Sequence, residues 1–328
     1  MRAAYLIATF SCLFFACKKD SSKKQTDVYI GGFTQRLRNN SYVSYAKYWK
    51  NGVSTDVTDG TKWVFINGMA LDGNDVYLAG HERPLGGGMW TAKYWKNGAG
   101  IALSDTMNAE VSSIAVAGSN VYVSGDSRST GQYYLWQNGT PDLISYPITA
   151  LYASGSDFYI GAFYYYGKDG AIDNVQNQQQ GAVINSIAVS GNDIYCAGSS
   201  GNSAPSTGYS SFVTATYWVN GVPHYLGTGV INSIVCKDGN FYMAGSLSSG
   251  VSLGGTSITQ QVATYWKNGT AFSLMNNASA ASITVDDDNN IHIVGTNANG
   301  YPTYWRNGKV VAIPGTDSTD FFISVHAN

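Results

Sequence analysis

The feature that most constrains the fold of this chain is a short motif that occurs seven times, at intervals of 36 to 50 residues. Its copies are DVYIGG at Asp27, DVYLAG at Asp75, NVYVSG at Asn120, DFYIGA at Asp157, DIYCAG at Asp193, NFYMAG at Asn240 and NIHIVG at Asn290. Each copy is rich in Val, Ile and Tyr and is flanked by Gly, Asn or Asp. This pattern predicts a short β-strand, so the chain must fold as an array of repeated β units.

Two further motifs complete the repeat. One precedes the first motif, as in SIAVAGS at Ser113 and SIAVSGN at Ser186. The other follows it, as YWKNG at Tyr48, YWKNG at Tyr94, LWQNG at Leu135, the degenerate YGKDG at Tyr166, YWVNG at Tyr217, YWKNG at Tyr265 and YWRNG at Tyr304. With a short segment after each NG, every unit has four strands, which we name a to d in chain order. Four strands in about 43 residues are typical of a β-propeller blade.

The two ends of the repeated region complement each other. The chain finishes with FISVHAN, which is a strand a, whereas Asp27 opens a strand b. We therefore predict an all-β fold, a seven-bladed β-propeller over residues 27–328, closed by the C-terminal strand completing the first blade. Closure removes the exposed sheet edges of an open array.

The YWKNG and VYVAG-type repeats resemble those of a group of secreted lipoproteins from Bacteroidota-type bacteria, and more distantly HAF-type extracellular repeats. The resemblance covers the whole mature chain and implies the propeller architecture. It transfers no catalytic residue. The signatures of WD40, kelch and Asp-box repeats are absent from the sequence.

The N-terminus predicts export and a lipid anchor. Arg2 precedes the apolar run AAYLIATFSCLFFA, which is too short for a transmembrane helix. A small residue directly before Cys17 resembles a bacterial lipobox, so residues 1–16 are interpreted as a lipoprotein signal peptide and Cys17 as the lipidated residue. Cys12 is the rival lipidation site, and an ordinary secretory signal is the alternative. The polar residues 17–26 would form a flexible tether to the cell envelope, on the periplasmic or surface side of the outer membrane.

Composition excludes several classes of protein. A net charge of −2 argues against nucleic acid as a partner, because binding it requires many cations against phosphates. The apolar share of 44% is enough for a packed core and excludes a disordered chain. The sequence has no spacing of His, Cys or acidic residues typical of a metal site, and we predict no cofactor. The run Asp286 to Asn290 hints at calcium, but it departs from the EF-hand pattern and falls where every unit has a tight turn.

One face of the predicted propeller is the candidate functional surface. The a–b and c–d turns are nearly constant in length, whereas the b–c segments vary from 3 to 19 residues. Variable segments on a rigid scaffold are where binding residues concentrate. Seven predicted ligand-binding residues, all from the first three units of this face, are Arg36, Arg38, Trp63, His81, Arg83, Trp90 and Arg128. Arg and Trp anchor many interfaces, and guanidinium groups suit carboxylates and polar sugar groups.

Three function classes follow. The first is a non-enzymatic binding lipoprotein that presents this face to a glycan, a peptide or a protein partner. The second is a hydrolase or lyase acting on an anionic saccharide, for which Glu82 and Glu110, the only glutamates, are the weak catalytic candidates as general acid and base. The third is a scaffold subunit of an envelope complex.

Two residue types are expected to be structural. Trp residues recur in strand c with the period of the repeat, so we expect them to pack between blades. Cys196 and Cys236 replace apolar residues of strand motifs, and we expect free, buried thiols rather than a disulfide.

Overall fold

The computed structural model describes residues 26–38, 40–104, 108–176, 181–201, 213–253 and 256–328. The predicted signal peptide and all of the tether except Thr26 lie outside these residues. All regular structure in the described residues is β, and none of them forms a helix long and apolar enough to cross a membrane.

Five sheets of four antiparallel strands carry most of the fold. The first contains β1 (Val28–Arg38), β2 (Ser41–Lys50), β3 (Val53–Asp56) and, beside β1, the C-terminal strand β27 (Asp320–Ala327). The second contains β4 (Lys62–Asp72), β5 (Asp75–Pro84), β6 (Thr91–Lys96) and β7 (Ala99–Ala102). The third contains β8 (Ala109–Ala117), β9 (Asn120–Ser127), β10 (Tyr133–Gln137) and β11 (Thr140–Ile144). The fourth contains β12 (Ile148–Ser154), β13 (Asp157–Ala162), β14 (Tyr165–Lys168) and β15 (Ala171–Asn174). The sixth contains β23 (Ser279–Val285), β24 (Ile291–Thr296), β25 (Pro302–Arg306) and β26 (Lys309–Val310).

The fifth sheet has seven strands. They are β16 (Val183–Ser190), β17 (Asp193–Ser200), β18 (Thr214–Val219), β19 (Val222–Lys237), β20 (Asn240–Leu253), β21 (Thr256–Lys267) and β22 (Thr270–Asn276). Residues 222–228 of β19 pair with β18, and residues 229–237 pair with β20. The all-β propeller prediction is confirmed, but two predicted blades are joined here, because the chain stays extended where the sequence predicts a connection between blades.

The repeated motifs bond to each other within each sheet. Asn51 and Gly52 have φ angles of 50° and 83°, as a type I′ hairpin turn requires. The Asn51 side chain accepts a hydrogen bond from the Val28 amide at 2.9 Å and donates one to Asp27 at 2.6 Å. Equivalent pairs recur along the chain, as Asn97 with Asp75, Asn220 with Asp193, and Asn307 with Asn290. The NG turn is therefore locked to the residue that opens strand b.

Tryptophan residues of strand c fill the gaps between consecutive repeats, as the sequence predicts. Trp49, Trp136, Trp266 and Trp305 are 0% exposed. Trp266 packs against Ala197 and Ala215 of the preceding repeat, whose small side chains leave room for the indole. The fourth repeat has Gly167 at this position, so the contact between the third and fourth sheets has no such indole.

The innermost strands surround a central cavity of about 390 Å³. Residues of β4, β8, β12, β16, β19, β23 and β27 line it. Each of these strands has a β-bulge, for example between Ile66 and Gly68 and between Ile184 and Ser186. A bulge turns one extra side chain out of the ladder, and the bulged residues Asn67, Asn185 and Asn232 line the cavity. Cys196 and Cys236 are both free; Cys196 is buried and Cys236 half-buried. Burial raises the pKa of both thiols, that of Cys236 to about 12.

Candidate ligand-binding cleft

A cleft of about 610 Å³ lies on the face that carries the variable b–c segments. It is formed by the first three sheets and is lined by Phe33, Phe65, Ile66, Asn67, His81, Arg83, Trp90, Glu110 and Arg128. We call it the arginine cleft. It brings together four of the seven predicted ligand-binding residues, His81, Arg83, Trp90 and Arg128, with one of the two weak catalytic candidates, Glu110.

The strands of the second sheet run past the repeat motif and hold the cleft residues. Strand β5 continues to Pro84, so His81 and Arg83 lie on a paired strand rather than in a loop. His81 lies opposite Phe65, and Arg83 lies opposite Trp63. Side chains alternate between the two faces of a strand. His81 and Arg83 therefore point into the arginine cleft, whereas Glu82 points to the other face of the sheet.

Trp90 is the base of the arginine cleft rather than an exposed stacking surface. It is 9% exposed. Its amide donates a hydrogen bond to the Asn108 side chain at 2.8 Å, and its carbonyl accepts one from the Ala109 amide at 3.0 Å. The indole packs edge-to-face on His81, with the ring centroids 4.8 Å apart. Trp90 thus joins the second sheet to the third and supports the side chains above it.

The guanidinium of Arg83 lies over the Trp90 ring, with Cζ 4.5 Å from the ring centroid. Its Nε is buried and has no hydrogen-bond partner. Within the part of the chain that the structure describes, no carboxylate forms an ion pair with Arg83. Stacking on an indole restricts the guanidinium in orientation and leaves its planar edge free for a ligand.

His81 is buried beside Arg83, with 7% of its surface exposed. Burial, together with the nearby charge of Arg128, lowers the pKa of His81 to about 4. Its Nε2 lies 3.7 Å from Oε1 of Glu110, and its Nδ1 has no hydrogen-bond partner. The imidazole is therefore neutral at pH 7 and offers one unused polar atom.

Glu110 and Arg128 form the third side of the arginine cleft. Nε of Arg128 lies 2.5 Å from Oε1 of Glu110, an ion pair that lacks hydrogen-bond geometry. Glu110 lies opposite Asp126 in the β8–β9 ladder. Burial raises the pKa of Asp126, Glu110 raises it further, and Arg128 partly offsets both effects.

Eight buried side-chain polar atoms of the described residues have no hydrogen-bond partner. Three belong to the arginine cleft: His81 Nδ1, Arg83 Nε and Glu110 Oε1. Four of the others are indole nitrogens of strand c. Glu110 Oε1 is already ion-paired with Arg128, which leaves His81 Nδ1 and Arg83 Nε without any polar partner. Buried polar atoms are nearly always paired in folded proteins, so these two atoms in an open cleft are suited to a polar ligand.

Three predicted residues lie outside the arginine cleft. Arg38 and Trp63 line a separate cavity of about 740 Å³ together with Tyr42 and Leu85. Arg36 donates a hydrogen bond to Asp56 at 3.0 Å, and its guanidinium lies 4.8 Å from the centroid of the Tyr45 ring. Its charge is therefore already paired.

Glu82 is separated from Glu110 by the alternation of β5. It lines another cavity with Asp59 and Lys62, and it forms ion pairs with Lys62 at 2.5 Å and Lys93 at 2.7 Å. Burial raises the pKa of Glu82, but the hydrogen bonds from both lysines outweigh this effect and leave it below its ordinary value. A carboxylate held in this way has no proton to donate at pH 7.

The Asp286–Asn290 turn is satisfied by its own groups. Asp286 accepts hydrogen bonds from the amide and the side chain of Asn290, at 2.7 and 2.8 Å, and contacts His292 Nε2 at 3.1 Å. No cluster of three or more metal-ligating side chains occurs among the described residues.

Sequence reasoning missed the apolar wall and the amide of the arginine cleft. Phe33 packs on Phe65, with centroids 5.4 Å apart, and stacks on Phe321 at 4.6 Å. Asn67 is exposed and lines both the arginine cleft and the central cavity. Trp63 is the one position of this stretch that the sequence marks, because the equivalent positions of the other copies hold smaller residues such as Asn108, Gly181 and Thr228.

Comparisons with known proteins bear on the fold alone. No family model and no curated protein matches the chain. Several solved structures do. The Pan2 WD40 domain of Neurospora crassa is 9% identical, with 88% of this chain and 91% of that chain covered and a TM-score of 0.48. A nidogen/laminin complex chain is 8% identical, with 92% and 98% covered and a TM-score of 0.45. The β-propeller domain of the Trilobed protease from Pyrococcus furiosus is 10% identical, with 78% and 97% covered and a TM-score of 0.38. Similarity this low supports no inference about activity.

Proposed function

We propose that the protein is a non-enzymatic binding protein that takes a saccharide in the arginine cleft. The observation that carries this proposal is the group of unpaired buried polar atoms in an open cavity with one apolar wall. Ligand sites typically combine an apolar lining with a few convergent polar groups. The cleft offers Arg83, His81 and Asn67 as polar groups beside Phe65, which suits a sugar with its hydroxyl groups and apolar ring face.

The scaffold in this proposal is a closed ring of seven blades. Strand β19 supplies the outermost strand of one blade and the innermost strand of the next, so the seven-stranded sheet counts as two blades. Strand β27 completes the first blade, since it pairs with β1 from Val28 to Thr34. Side-chain bonds between inner strands support the ring: Ser233 Oγ accepts from the Ile283 amide at 3.3 Å, and Ser282 Oγ accepts from the Val325 amide at 3.1 Å. A rigid ring would hold the cleft residues of three blades at fixed positions relative to one another.

The location in this proposal is the cell envelope, with Cys17 lipidated and the propeller held at the outer membrane. The lipobox-like sequence that ends at Cys17 supports this location. Metabolic labelling with a palmitate analogue tests it: the label is expected in wild type and in Cys12→Ser, and its loss in Cys17→Ser identifies the anchor. Labelling of Cys17→Ser at the wild-type level would contradict the assignment.

An enzymatic role receives less support from the geometry. The hydrolase or lyase alternative needs a proton donor and a base on either side of one bond. Glu82 and Glu110 line different cavities, and Glu82 is held ionised by two lysines. No observation favours the scaffold-subunit alternative over binding.

A thermal-shift screen of the full chain in detergent tests the binding proposal. Neutral and acidic oligosaccharides are added, and unfolding is followed by tryptophan fluorescence. A ligand in excess over its dissociation constant raises the melting temperature. Arg83→Ala removes a cleft guanidinium, and Arg36→Ala is the matched control outside the cleft. We expect at least one saccharide to stabilise wild type and Arg36→Ala but not Arg83→Ala. An equal shift in Arg83→Ala, or no shift with any saccharide, would refute the proposal.

A further inference from the structure

We propose that the arginine cleft selects saccharides with a single carboxylate, that Arg83 binds this group, and that Glu110 keeps the second guanidinium from doing so. This inference rests on the proposed function. It goes further in naming the ligand class, the residue that recognises it, and the residue that limits its charge.

Charge at the arginine cleft is unbalanced by one unit. Arg83 and Arg128 each contribute a positive charge, Glu110 contributes one negative charge, and His81 is neutral at pH 7 because burial lowers its pKa. Arg128 is paired with Glu110 at 2.5 Å, whereas Arg83 has no carboxylate among the described residues. One ligand carboxylate would therefore neutralise the cleft.

Arg83 is held in position before a ligand arrives. Its guanidinium rests on the Trp90 ring, and Trp90 is fixed at both its amide and its carbonyl. A planar guanidinium recognises a carboxylate through two parallel hydrogen bonds. Since the arginine is already oriented, little conformational freedom is lost on binding. His81 Nδ1 and Arg83 Nε, both buried and unpaired, lie among the residues that would contact the same end of the ligand.

Glu110 acts in this arrangement as an internal competitor. Its Oε1 is paired with Nε of Arg128 and offsets the charge of this side chain, which is 56% exposed and would otherwise attract a ligand carboxylate. A second ligand carboxylate at this position would meet the like charge of Glu110. The cleft would therefore discriminate against ligands with two adjacent carboxylates.

The remaining surface favours a saccharide over an acidic peptide. The arginine cleft also has an aromatic lining, with Phe33 and Phe65 in edge-to-face contact. The exposed Asn67 amide offers both a donor and an acceptor at the mouth. A sugar acid uses all three features, because its ring has an apolar face, its hydroxyl groups pair with the amide, and its carboxylate pairs with Arg83.

Calorimetry with matched probes tests the inference on the full chain in detergent. Each probe is an oligosaccharide that contains a single galacturonate, glucuronate or mannuronate unit, compared with its methyl ester, which replaces the carboxylate by an uncharged ester. In wild type we expect at least one acid to bind about tenfold or more tightly than its ester, since charged hydrogen bonds are the strong ones. Arg83→Gln is expected to abolish this difference, and Arg36→Gln to preserve it.

Glu110→Gln gives the opposite result. The substitution frees Arg128 and removes one negative charge, so the acid should bind about threefold or more tightly, the effect expected of one charged pair. Oligosaccharides with two adjacent carboxylates should then bind as well. Melting curves of each variant show that it is folded. Arg83→Lys is a second variant in case Arg83→Gln does not fold. It keeps the charge but loses the two parallel hydrogen bonds, so its preference for the acid over the ester should lie between those of wild type and Arg83→Gln.

The outcomes separate the two proposals. Esters that bind as tightly as acids would overturn the carboxylate inference while leaving saccharide binding in place. Binding of none of these saccharides, or of neutral sugars alone, would also overturn the inference. The proposed function itself is refuted by the thermal-shift screen, either by the absence of a shift with every saccharide or by an equal shift in Arg83→Ala. Binding of an acidic peptide with none of the saccharides would overturn both. Unchanged or weaker acid binding in Glu110→Gln would refute the competitor role.

Discussion

Replacing Trp266 with alanine should destabilise the fold severely, because this indole packs between the two halves of the seven-stranded sheet. Trp266 is 0% exposed and contacts Ala197, Ala215 and Ile231. A buried aromatic side chain removes about 150–250 Å² from water, which at about 25 cal/mol per Å² corresponds to about 4–6 kcal/mol. Its Nε1 has no hydrogen-bond partner, so the substitution leaves no polar group newly unpaired. The methyl group that alanine retains reduces this cost, whereas the cavity that remains adds to it. We expect the free energy of unfolding to fall by about 3–5 kcal/mol.

Equilibrium urea unfolding, followed both by fluorescence and by far-ultraviolet circular dichroism, measures this loss. Coincident transitions justify treating the change as a free energy of unfolding. Trp63→Ala is the matched control, because Trp63 lines an open cavity and lies outside the repeat positions; its cost should be about 1 kcal/mol or less. A Trp266→Ala protein within about 1 kcal/mol of wild type would refute the account of packing between repeats.

Three further predictions follow from burial, charge and pairing. His81 has a pKa of about 4 in the folded protein and an ordinary value of 6.5, so the unfolded state binds more protons between these pH values. The free energy of unfolding should therefore fall by up to about 3 kcal/mol as the pH drops from 6.5 to 4. In urea titrations His81→Gln should make the free energy of unfolding less dependent on pH, and an unchanged pH dependence would contradict the burial of a neutral imidazole. Glu82 has a lowered pKa, so its contribution to the free energy of unfolding is present above its ordinary pKa of 4.5 and is lost as the pH falls through the pKa of the folded protein. Glu82→Gln should therefore lose less stability than wild type below pH 4.5. An equal loss would show that its lysine pairs do not stabilise the fold. Deleting residues 321–328 removes nearly all of β27 from β1 and should abolish cooperative unfolding in calorimetry, whereas a folded monomer with the wild-type melting temperature would contradict closure.

Much of the fold could be predicted from the repeat, because the motif residues bond to one another. The Asn of each NG turn pairs with the Asp or Asn that opens strand b, as Asn51 does with Asp27. Strand positions, hairpin turns and buried tryptophans therefore follow from local sequence. Strand length does not. The b–c segments of the first two units extend their strands as far as Arg38 and Pro84, because cross-strand pairing beyond the motif depends on side chains that vary between repeats.

The arginine cleft could be predicted only in part, because its arrangement depends on which face of a strand each residue occupies. Arg83 and Glu82 are adjacent in sequence but point to opposite faces of the second sheet, so Glu82 lies with Lys62 rather than with Glu110. The sequence predicts Trp90 as a ligand-binding residue, yet the guanidinium of Arg83 covers its ring. Composition predicts this sector of the propeller as the candidate surface, and the strand register decides which residues of that sector meet.

Hydrogen–deuterium exchange tests the central claim, that ligand binds in the arginine cleft, most directly. Exchange of the full chain is compared with and without the saccharide that gives the largest thermal shift. The account predicts slower exchange confined to residues 62–67, 80–91 and 108–112, which supply most of the cleft, and no change in the NG turns on the opposite face. Protection of those turns, or of the central cavity strands β16, β19 and β23 without protection of residues 80–91, would contradict it.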